Sequence, residues 1–438
     1  MIKIIENGIK GLNSVEEVLN RKVIEEDISS SVKGIIGEVI EGGDEALKAL
    51  CEKYDGFMPE ALEVAREEID EAFEQVLESS PATIRALENA ASRITRYHSA
   101  QKREGFELVE KRDSDGGAGV LLMQKILPIK RAGLYIPGGT ASYPSTVLMN
   151  VIPAKIAGVE EIIMVSPPSK DGTIAPIILA AAKVAGVDRI FKIGGAQAVA
   201  ALAYGTESIP KVDKITGPGN AYVAEAKKQV FGKVGIDMIA GPSEILVIAD
   251  SGDAAVLAAD MLSQAEHDTM ASAVLITTDK NLAEQVAKEI EVQLKELPRE
   301  DIARASIEAN GKIFIADTIE EAIDISNELA PEHLEMYVNN PFKYIDSIKN
   351  AGSVFLGKNC PEALGDYYAG PNHTLPTNGT AKFASPLSVD DFIKKTSFTF
   401  YSEEALRDDV DDVVLLAREE GLEGHARSPL YRTEKNFK

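Results

Sequence analysis

Three patterns of apolar and polar residues follow one another along the chain. From residue 14 to about 103, apolar positions recur at helical spacing among strong helix formers, as in "EEVLNRKVIEEDI" and "PEALEVAREEIDEAFEQVLESS". Pro81 opens "PATIRALENAASRITRYHSAQ" at a first-turn position, where its missing N–H costs nothing. From about 119 to 357 short β-branched runs take over: "GLYI", "EIIMVS", "RIFKIG", "DKITG", "EILVIAD", "AVLITTD", "KIFIAD" and "SVFLG". Helical stretches such as "STVLMNVIPAKIAGV", "AYVAEAKKQVFG" and "NLAEQVAKEIEVQLKEL" separate most of them. This alternation predicts parallel sheets covered by helices on both faces. The runs fit one large doubly wound sheet or two smaller ones, and the length of the chain favours two. Beyond residue 384, "SPLSVDDFIKK" and "SEEALRDDVDDVVLLAREEG" read as helices around a β-like "SFTFY", followed by a polar tail, "HARSPLYRTEKNFK". That last region has too little apolar content for a core of its own, so it is expected to pack on the body or on a neighbouring subunit.

Composition narrows the class. The chain has 438 residues, 45% hydrophobic and 26% charged, as in a soluble globular protein of two to four domains. Its 46 basic and 70 acidic side chains give a formal net charge of −24. An envelope this acidic argues against nucleic acid and anionic membranes as partners. The two cysteines, Cys51 and Cys360, have no metal-ligand spacing, which argues against a disulfide scaffold or zinc ribbon and suits a reducing cytoplasm. The N-terminus lacks the apolar stretch of a signal peptide, and no run approaches the ~18 apolar residues that span a bilayer. A cytoplasmic protein is expected.

Candidate chemistry collects in a few short stretches. Four glycine-rich turns, "YIPGGT" (135–140), "IGGAQ" (193–197), "TGPGN" (216–220) and "AGPSE" (240–244), read as strand ends. Ligands of open α/β sheets bind outside the carboxyl ends of strands, where glycine lets a phosphate or flat ring approach the backbone. Each turn is followed by a polar side chain: Thr140, Gln197, Asn220 or Ser243. They form one pocket rim or are turns needed only for geometry, and none has the G-x-G-x-x-G spacing of ordinary dinucleotide folds. Of the five histidines, His98 sits beside Arg96 and Lys102 and reads as a solvated surface residue. His267, His333, His373 and His425 lie in "QAEHD", "APEHLE", "GPNHTLPT" and "GLEGHARS". At ~100° per residue, Asp260, Gln264 and His267 share a narrow arc of one helix face. They are half of a metal site or an ordinary polar helix end. Glu332 beside His333 at a strand entrance suits general-base work if the turn bends both inward. "LGDYYAGPNHTLPT" is loop by composition, with Asp366 and His373, and a polar loop that long is functional or mobile.

Taken in order, "YIPGG", "GPGN", "AGPSE", "SQAEHD", "APEHLE" and "GDYYAGPNHTLPT" resemble the histidinol dehydrogenase family over nearly the whole chain. The resemblance implies oxidation of L-histidinol by two equivalents of NAD⁺ and water, through a bound aldehyde, to L-histidine. It implies one zinc per subunit, on Gln264, His267, Asp366 and His425, and a catalytic pair, Glu332 and His333. Substrate would touch Ser243, His373 and Glu420 as well as Gln264, His267, His333, Asp366 and His425, with Glu423 the alternative to Glu420. NAD would lie against Tyr135, Gln197 and Asn220. A site of Gln, Asp and two His, with no thiolate, leaves room for the imidazole and amine of histidinol on a borderline-soft cation. Cys360 is expected to be a bystander.

The corresponding fold is α/β, with two Rossmann-like parallel-sheet domains, a helical N-terminal region and a small C-terminal extension. The expected divisions are residues 1–30 as an N-terminal helical segment, and 31–133 plus 244–385 as a first domain carrying the metal and catalytic motifs. Residues 134–243 are expected to form the NAD-facing domain, and 386–438 a C-terminal dimerisation segment of an intertwined homodimer. A two-lobed binding protein or a zinc hydrolase fits some of the same residues, but neither would reduce NAD⁺.

Overall fold

The computed structural model describes residues 2–6, 26–138 and 142–434. Residues 7–25, most of the expected N-terminal helical segment, lie outside it, as does Thr140 in the first glycine turn. In chain order the strands are β1 (Lys3–Ile5), β2 (Phe106–Arg112), β3 (Ala118–Pro128), β4 (Arg131–Tyr135), β5 (Glu161–Ser166), β6 (Arg189–Lys192) and β7 (Lys214–Thr216). They continue as β8 (Gly235–Ile236), β9 (Glu244–Ala249), β10 (Ser272–Thr277), β11 (Lys312–Ile315), β12 (His333–Tyr337), β13 (Ser353–Leu356) and β14 (Ile393–Tyr401). The chain forms two compact units: one runs up to Gln101 and includes Ile129–Phe392, and the other combines Lys102–Pro128 with the residues from Ile393 onward. Among the described residues no helix is long and apolar enough to cross a membrane.

The larger unit contains two parallel sheets, ordered β6-β5-β4-β7-β8 and β1-β11-β10-β9-β12-β13. Apart from β1, each runs third-second-first-fourth-fifth, the doubly wound order, which reverses between its first and fourth strands. Those reversal points lie between β4 and β7 and between β9 and β12. The apolar strand runs are explained by burial on both faces. In β5, Ile162 and Met164 enter one core while Ile163 and Val165 enter the other, and all six residues of β9 are buried.

Two features of the larger unit differ from the sequence reading. Lys3–Ile5, within the expected helical segment, is a strand paired with β11. The helices Glu26–Asp55, Arg66–Ser79 and Pro81–Ser99 are buried on the five-stranded sheet, not on the sheet of residues 244–356 with which their sequence had been grouped. Ile84, Leu87 and Ile94 join the core of Ile162 and Met164, while Val32, Leu47 and Leu50 join that of Ile163 and Val165. An amphipathic stripe shows that a helix covers something, not which sheet it covers.

The smaller unit is a three-stranded antiparallel sheet, β14-β3-β2, with helices Glu403–Glu419 and Glu423–Glu434. Its buried cluster is small: Val410, Val414, Ala417 and Ala426. "SPLSVDDFIKK" is not a helix. It makes one tight turn, Val389–Phe392, and then enters β14, whose ladder on β3 runs from Ile393↔Pro128 to Tyr401↔Val120. The polar tail, in turn, is helical through Glu434, with Pro429 inside it.

Candidate active site

The chemistry collects at the amino ends of β9 and β12. His333 pairs with Ile245 across the sheet, which sets Glu332 beside Glu244. Each supplies what the other's backbone lacks: Glu332 Oε2 accepts the Glu244 N–H at 2.9 Å, and Glu244 Oε2 accepts the Glu332 N–H at 3.4 Å. A left-handed Ala330 (φ 48) ends the Ile319–Leu329 helix, and after Pro331 both Glu332 and His333 turn inward, 7% and 2% exposed. His333 Nδ1 lies 2.9 Å from the carbonyl oxygen of Glu244. A carbonyl can only accept, so the hydrogen is on Nδ1 and the lone pair of the neutral ring is on Nε2.

Two helices bring further groups to Nε2. Glu362 and Asp366 lie one turn apart on the short helix Glu362–Tyr367. His333 Nε2 is 3.3 Å from Asp366 Oδ1 and 4.0 Å from Glu362 Oε1, and one donor atom from each of the three lies within 4.8 Å of the others. Asp253 caps the helix Ala254–Ala265, which carries Ser263 and Gln264 in its last turn, with His267 just beyond. The Ser263 hydroxyl donates to Glu362 Oε2 at 2.9 Å. His373 Nδ1–H donates to the Asp366 carbonyl at 2.9 Å, and its Nε2 is 3.3 Å from Thr146 Oγ1. Thr146 lies in the first turn of the Pro144–Ala157 helix that follows β4, so His373 joins the amino end of one sheet to the carboxyl end of the other.

Burial and crowding of carboxylates set the protonation. Burial raises the Glu332 carboxyl to about 8. It also raises Glu362 to about 7, helped by the neighbouring charge of Asp366. For His333 burial works downward, but the charges of Glu332, Asp366 and Glu362 outweigh it and hold the imidazolium up to about 10. Burial of Asp366 is likewise outweighed, by the hydrogen bond and charge of His333, so its carboxyl stays well below the usual range. His267 and His373 are pushed down by burial, which favours the neutral rings that ligate metals. Gln264 Oε1 is buried without a hydrogen-bond partner. Buried polar atoms are almost always satisfied. An unpartnered carboxamide oxygen beside neutral His267 and ionised Asp366 therefore fits a cation site.

Of the residues singled out by sequence, Glu332, His333, Asp366, His267 and His373 are brought together, with Gln264 next to the Ser263 that reaches Glu362. Ser243 adjoins Glu244, and its carbonyl accepts the Ser272 N–H. His425 and Glu420 belong to the smaller unit, on and just before the helix Glu423–Glu434. Glu423 there pairs with Arg418 and Arg427. The "AGPSE" turn leads into β9 rather than out of a strand, whereas the other three turns follow β4, β6 and β7 of the five-stranded sheet. At that end the buried Tyr135 accepts the Gly195 N–H on its hydroxyl, Gln197 is buried, and Asn220 caps the next helix through the N–H groups of Tyr222 and Val223. Gly217 has φ 109, and a Cβ there would lie 2.1 Å from the Tyr135 carbonyl oxygen. Its N–H donates to Asp237 and its carbonyl accepts from Lys227, which form a buried ion pair.

Two sequence readings need correcting, and some residues were missed. His98 is not solvated: it is fully buried, with Nδ1 2.7 Å from Gln101 Oε1 and Nε2 3.5 Å from Asn372 Nδ2. The stretch "LGDYYAGPNHTLPT" is not loop throughout: residues 364–367 lie in the helix Glu362–Tyr367, and Asn372, Thr374, Leu375 and Thr377 beyond it are buried. The missed residues are Glu244, Glu335 and Glu362. Glu362 could have been found from its one-turn spacing to Asp366. Both cysteines are unpaired, and burial pushes the Cys51 thiol up to about 12.

The family model described as histidinol dehydrogenase matches residues 19–433. The chain is 55% identical to histidinol dehydrogenase of Bacillus cereus over 417 residues, 95% of each chain. It is 53% identical to that of Listeria monocytogenes, covering 96% of this chain and 98% of the relative. The crystal structure of histidinol dehydrogenase from Elizabethkingia anophelis superposes with a TM-score of 0.92 at 38% identity, over 100% of this chain and 99% of that one.

Proposed function

The chain belongs to the histidinol dehydrogenase family, and from that premise we propose that it oxidises L-histidinol to L-histidine with NAD⁺ and zinc, through a bound L-histidinaldehyde. The oxidation of histidinol serves histidine biosynthesis. The observation that carries the finer reading is the fixed tautomer of His333: Nδ1–H is committed to the Glu244 carbonyl, so Nε2 alone can take a proton. In this reading a cation held by Asp366 would offset the carboxylate charges that keep the ring protonated, and the neutral Nε2 takes the hydroxyl proton as hydride leaves the carbinol carbon. The Glu332 carboxylate, made more basic by burial, then removes a proton from the water that adds to the aldehyde. Once His333 has released the first proton to solvent, the hydrate is oxidised in the same way, with His333 again taking the hydroxyl proton. NAD⁺ supplies the hydride acceptor in both oxidations.

Gln264, His267 and Asp366 would hold the zinc, which supplies a cationic anchor for the amine and imidazole of the substrate. The fourth expected ligand, His425, is carried by the C-terminal unit, and in an intertwined homodimer it comes from the second copy. Because the Glu423 carboxylate is occupied by two arginines, Glu420 is the better substrate contact. The glycine turns after β4, β6 and β7, with Tyr135, Gln197 and Asn220, would receive the cofactor. A cytoplasmic location suits a reduced, unpaired pair of cysteines. The test mixes protein, L-histidinol and NAD⁺ and counts NADH against histidine. Two NADH per histidine supports the reading, and histidinol left unoxidised refutes it.

A further inference from the structure

Glu335 lies two residues after His333 on β12, so both side chains leave the same face of the sheet. That face is otherwise apolar. The residues paired with Glu335 on either side are Val247 and Phe355, and Val247 is packed with Leu257, Ala258 and Met261 of the covering helix. At 3% exposure a carboxyl here is costly unless it is hydrogen bonded. It is bonded twice. Glu335 Oε1 accepts the Glu362 N–H at 2.6 Å, at the start of the helix that carries Glu362 and Asp366. The carboxyl also hydrogen bonds with Asp260, one turn before Gln264 on the helix Ala254–Ala265. Burial, then the charge of Asp260, pushes the Glu335 carboxyl up, so it carries the proton that the two acids share.

We propose that Glu335 is a positioning residue for the oxidation: through one carboxyl group it ties the helix bearing Gln264 and His267 to the helix bearing Glu362 and Asp366, across the strand bearing His333. Glu362 reaches the same three elements, but it meets β12 only by a 4.0 Å approach to His333, whereas Glu335 belongs to the strand itself and is hydrogen bonded to both helices. The tie acts on the distance between the groups expected to hold cation and substrate and those expected to move protons, without touching either ligand. A tie of this kind is worth roughly 10- to 100-fold in metal affinity or turnover.

This inference rests on the function proposed above, and the variants separate the two. Glu335→Gln keeps an oxygen for the Glu362 N–H and a donor for Asp260, whereas Glu335→Leu fits the apolar layer and keeps neither. Turnover of histidinol, zinc retained after dialysis, and the midpoint of thermal unfolding are measured on the full-length protein. Glu335→Gln should match the wild type in all three. Glu335→Leu should unfold at a lower temperature, because it leaves the buried Glu362 N–H and the Asp260 carboxyl without their partner. Assayed well below that midpoint, it should lose about tenfold or more in turnover and release zinc more readily. Asp260→Ala, at a half-buried position outside the core, removes the other end of the tie and should lose turnover in the same direction even if Glu335→Leu fails to fold. Wild-type turnover and zinc in Glu335→Leu or Asp260→Ala, or a Gln variant as impaired as the Leu variant, would overturn the inference. Failure of the wild type to oxidise histidinol would instead defeat the functional reading itself.

Discussion

At the carboxyl end of the five-stranded sheet the chain leaves β4, β6 and β7 on glycine turns, whereas at the same end of the six-stranded sheet the loops after β9 and β12 are hydrogen bonded to each other. There Asp250, just past β9, accepts the N–H of Asn339, just past β12, at 3.2 Å, and the Ser251 hydroxyl at 2.9 Å. These contacts bridge the reversal point where a doubly wound sheet ordinarily takes its ligand. The six-stranded sheet instead carries its chemistry at the amino ends of β9 and β12. The difference follows from what each end offers. Carboxyl-end turns lead into helix N-termini, whose free N–H groups suit an anionic ligand such as a pyrophosphate. The amino ends of β9 and β12 offer strand N–H groups that donate to carboxylates of the chain itself, as Glu332 and Glu244 show. In the proposed reading one strand order serves two purposes, and the side chains decide which end is used.

If the two ends divide the work in this way, the largest effect comes from the proton-accepting nitrogen. His333→Asn can still donate to the Glu244 carbonyl but has no counterpart of Nε2. Steady-state assays should show kcat lower by roughly 10²- to 10⁴-fold, with the KM for NAD⁺ little changed. A variant with normal kcat and a raised KM for NAD⁺ would show that the two sheets do not divide the reaction.

The corresponding test on the five-stranded sheet is Lys227→Met. It leaves the Asp237 carboxylate buried without its cation and frees the Gly217 carbonyl. Unfolding should cost about 3–5 kcal/mol less than in the wild type, because one member of a buried ion pair is left alone. The KM for NAD⁺ should rise, since the Gly217 turn loses its anchor, while kcat at saturating NAD⁺ changes far less. Unaltered denaturation curves would show that the pair does not hold the turn.

How much of this was legible in the sequence depended on whether the signal was local. All eight β-branched runs became strands, because strands buried on both faces leave a continuous apolar record. The partnership of β2 and β3 with β14 left none: "FELVEKR" alternates with charges and finds its place only through distant pairing. Glu332, His333, Gln264, His267, Asp366 and His373 stood out because their motifs combine unusual residues at short spacing. Glu244 and Glu362 did not, since one reads as an ordinary strand start and the other as an ordinary acid in a helix's first turn. His98 was misread because charged Arg96 and Lys102 flank it. Its spacing held the better signal: Ile84, Leu87, Ala91, Ile94 and His98 continue one buried or half-buried stripe along the helix.

That buried His98 gives the smallest effect and separates a structural histidine from the catalytic group. Burial pushes its pKa below the ordinary value of 6.5, against the opposing hydrogen bond to Gln101. Below pH 6.5 the unfolded chain therefore binds a proton that the folded chain refuses. The stability His98 contributes is present above that pH and is lost as pH falls toward its folded value, at up to ~1.4 kcal/mol per pH unit. His98→Leu keeps an apolar filling and cannot titrate. Urea unfolding should find it weaker than the wild type by about 1 kcal/mol at pH 7.5, for the lost hydrogen bond to Gln101, and nearer to or above the wild type at pH 5.5. Because the other histidines are present in both proteins, their titration cancels in the difference. Parallel stabilities at the two pH values would remove the buried, neutral His98 from the account, whereas a large fall in turnover at pH 7.5 would move it from the packing of the five-stranded sheet into the site itself.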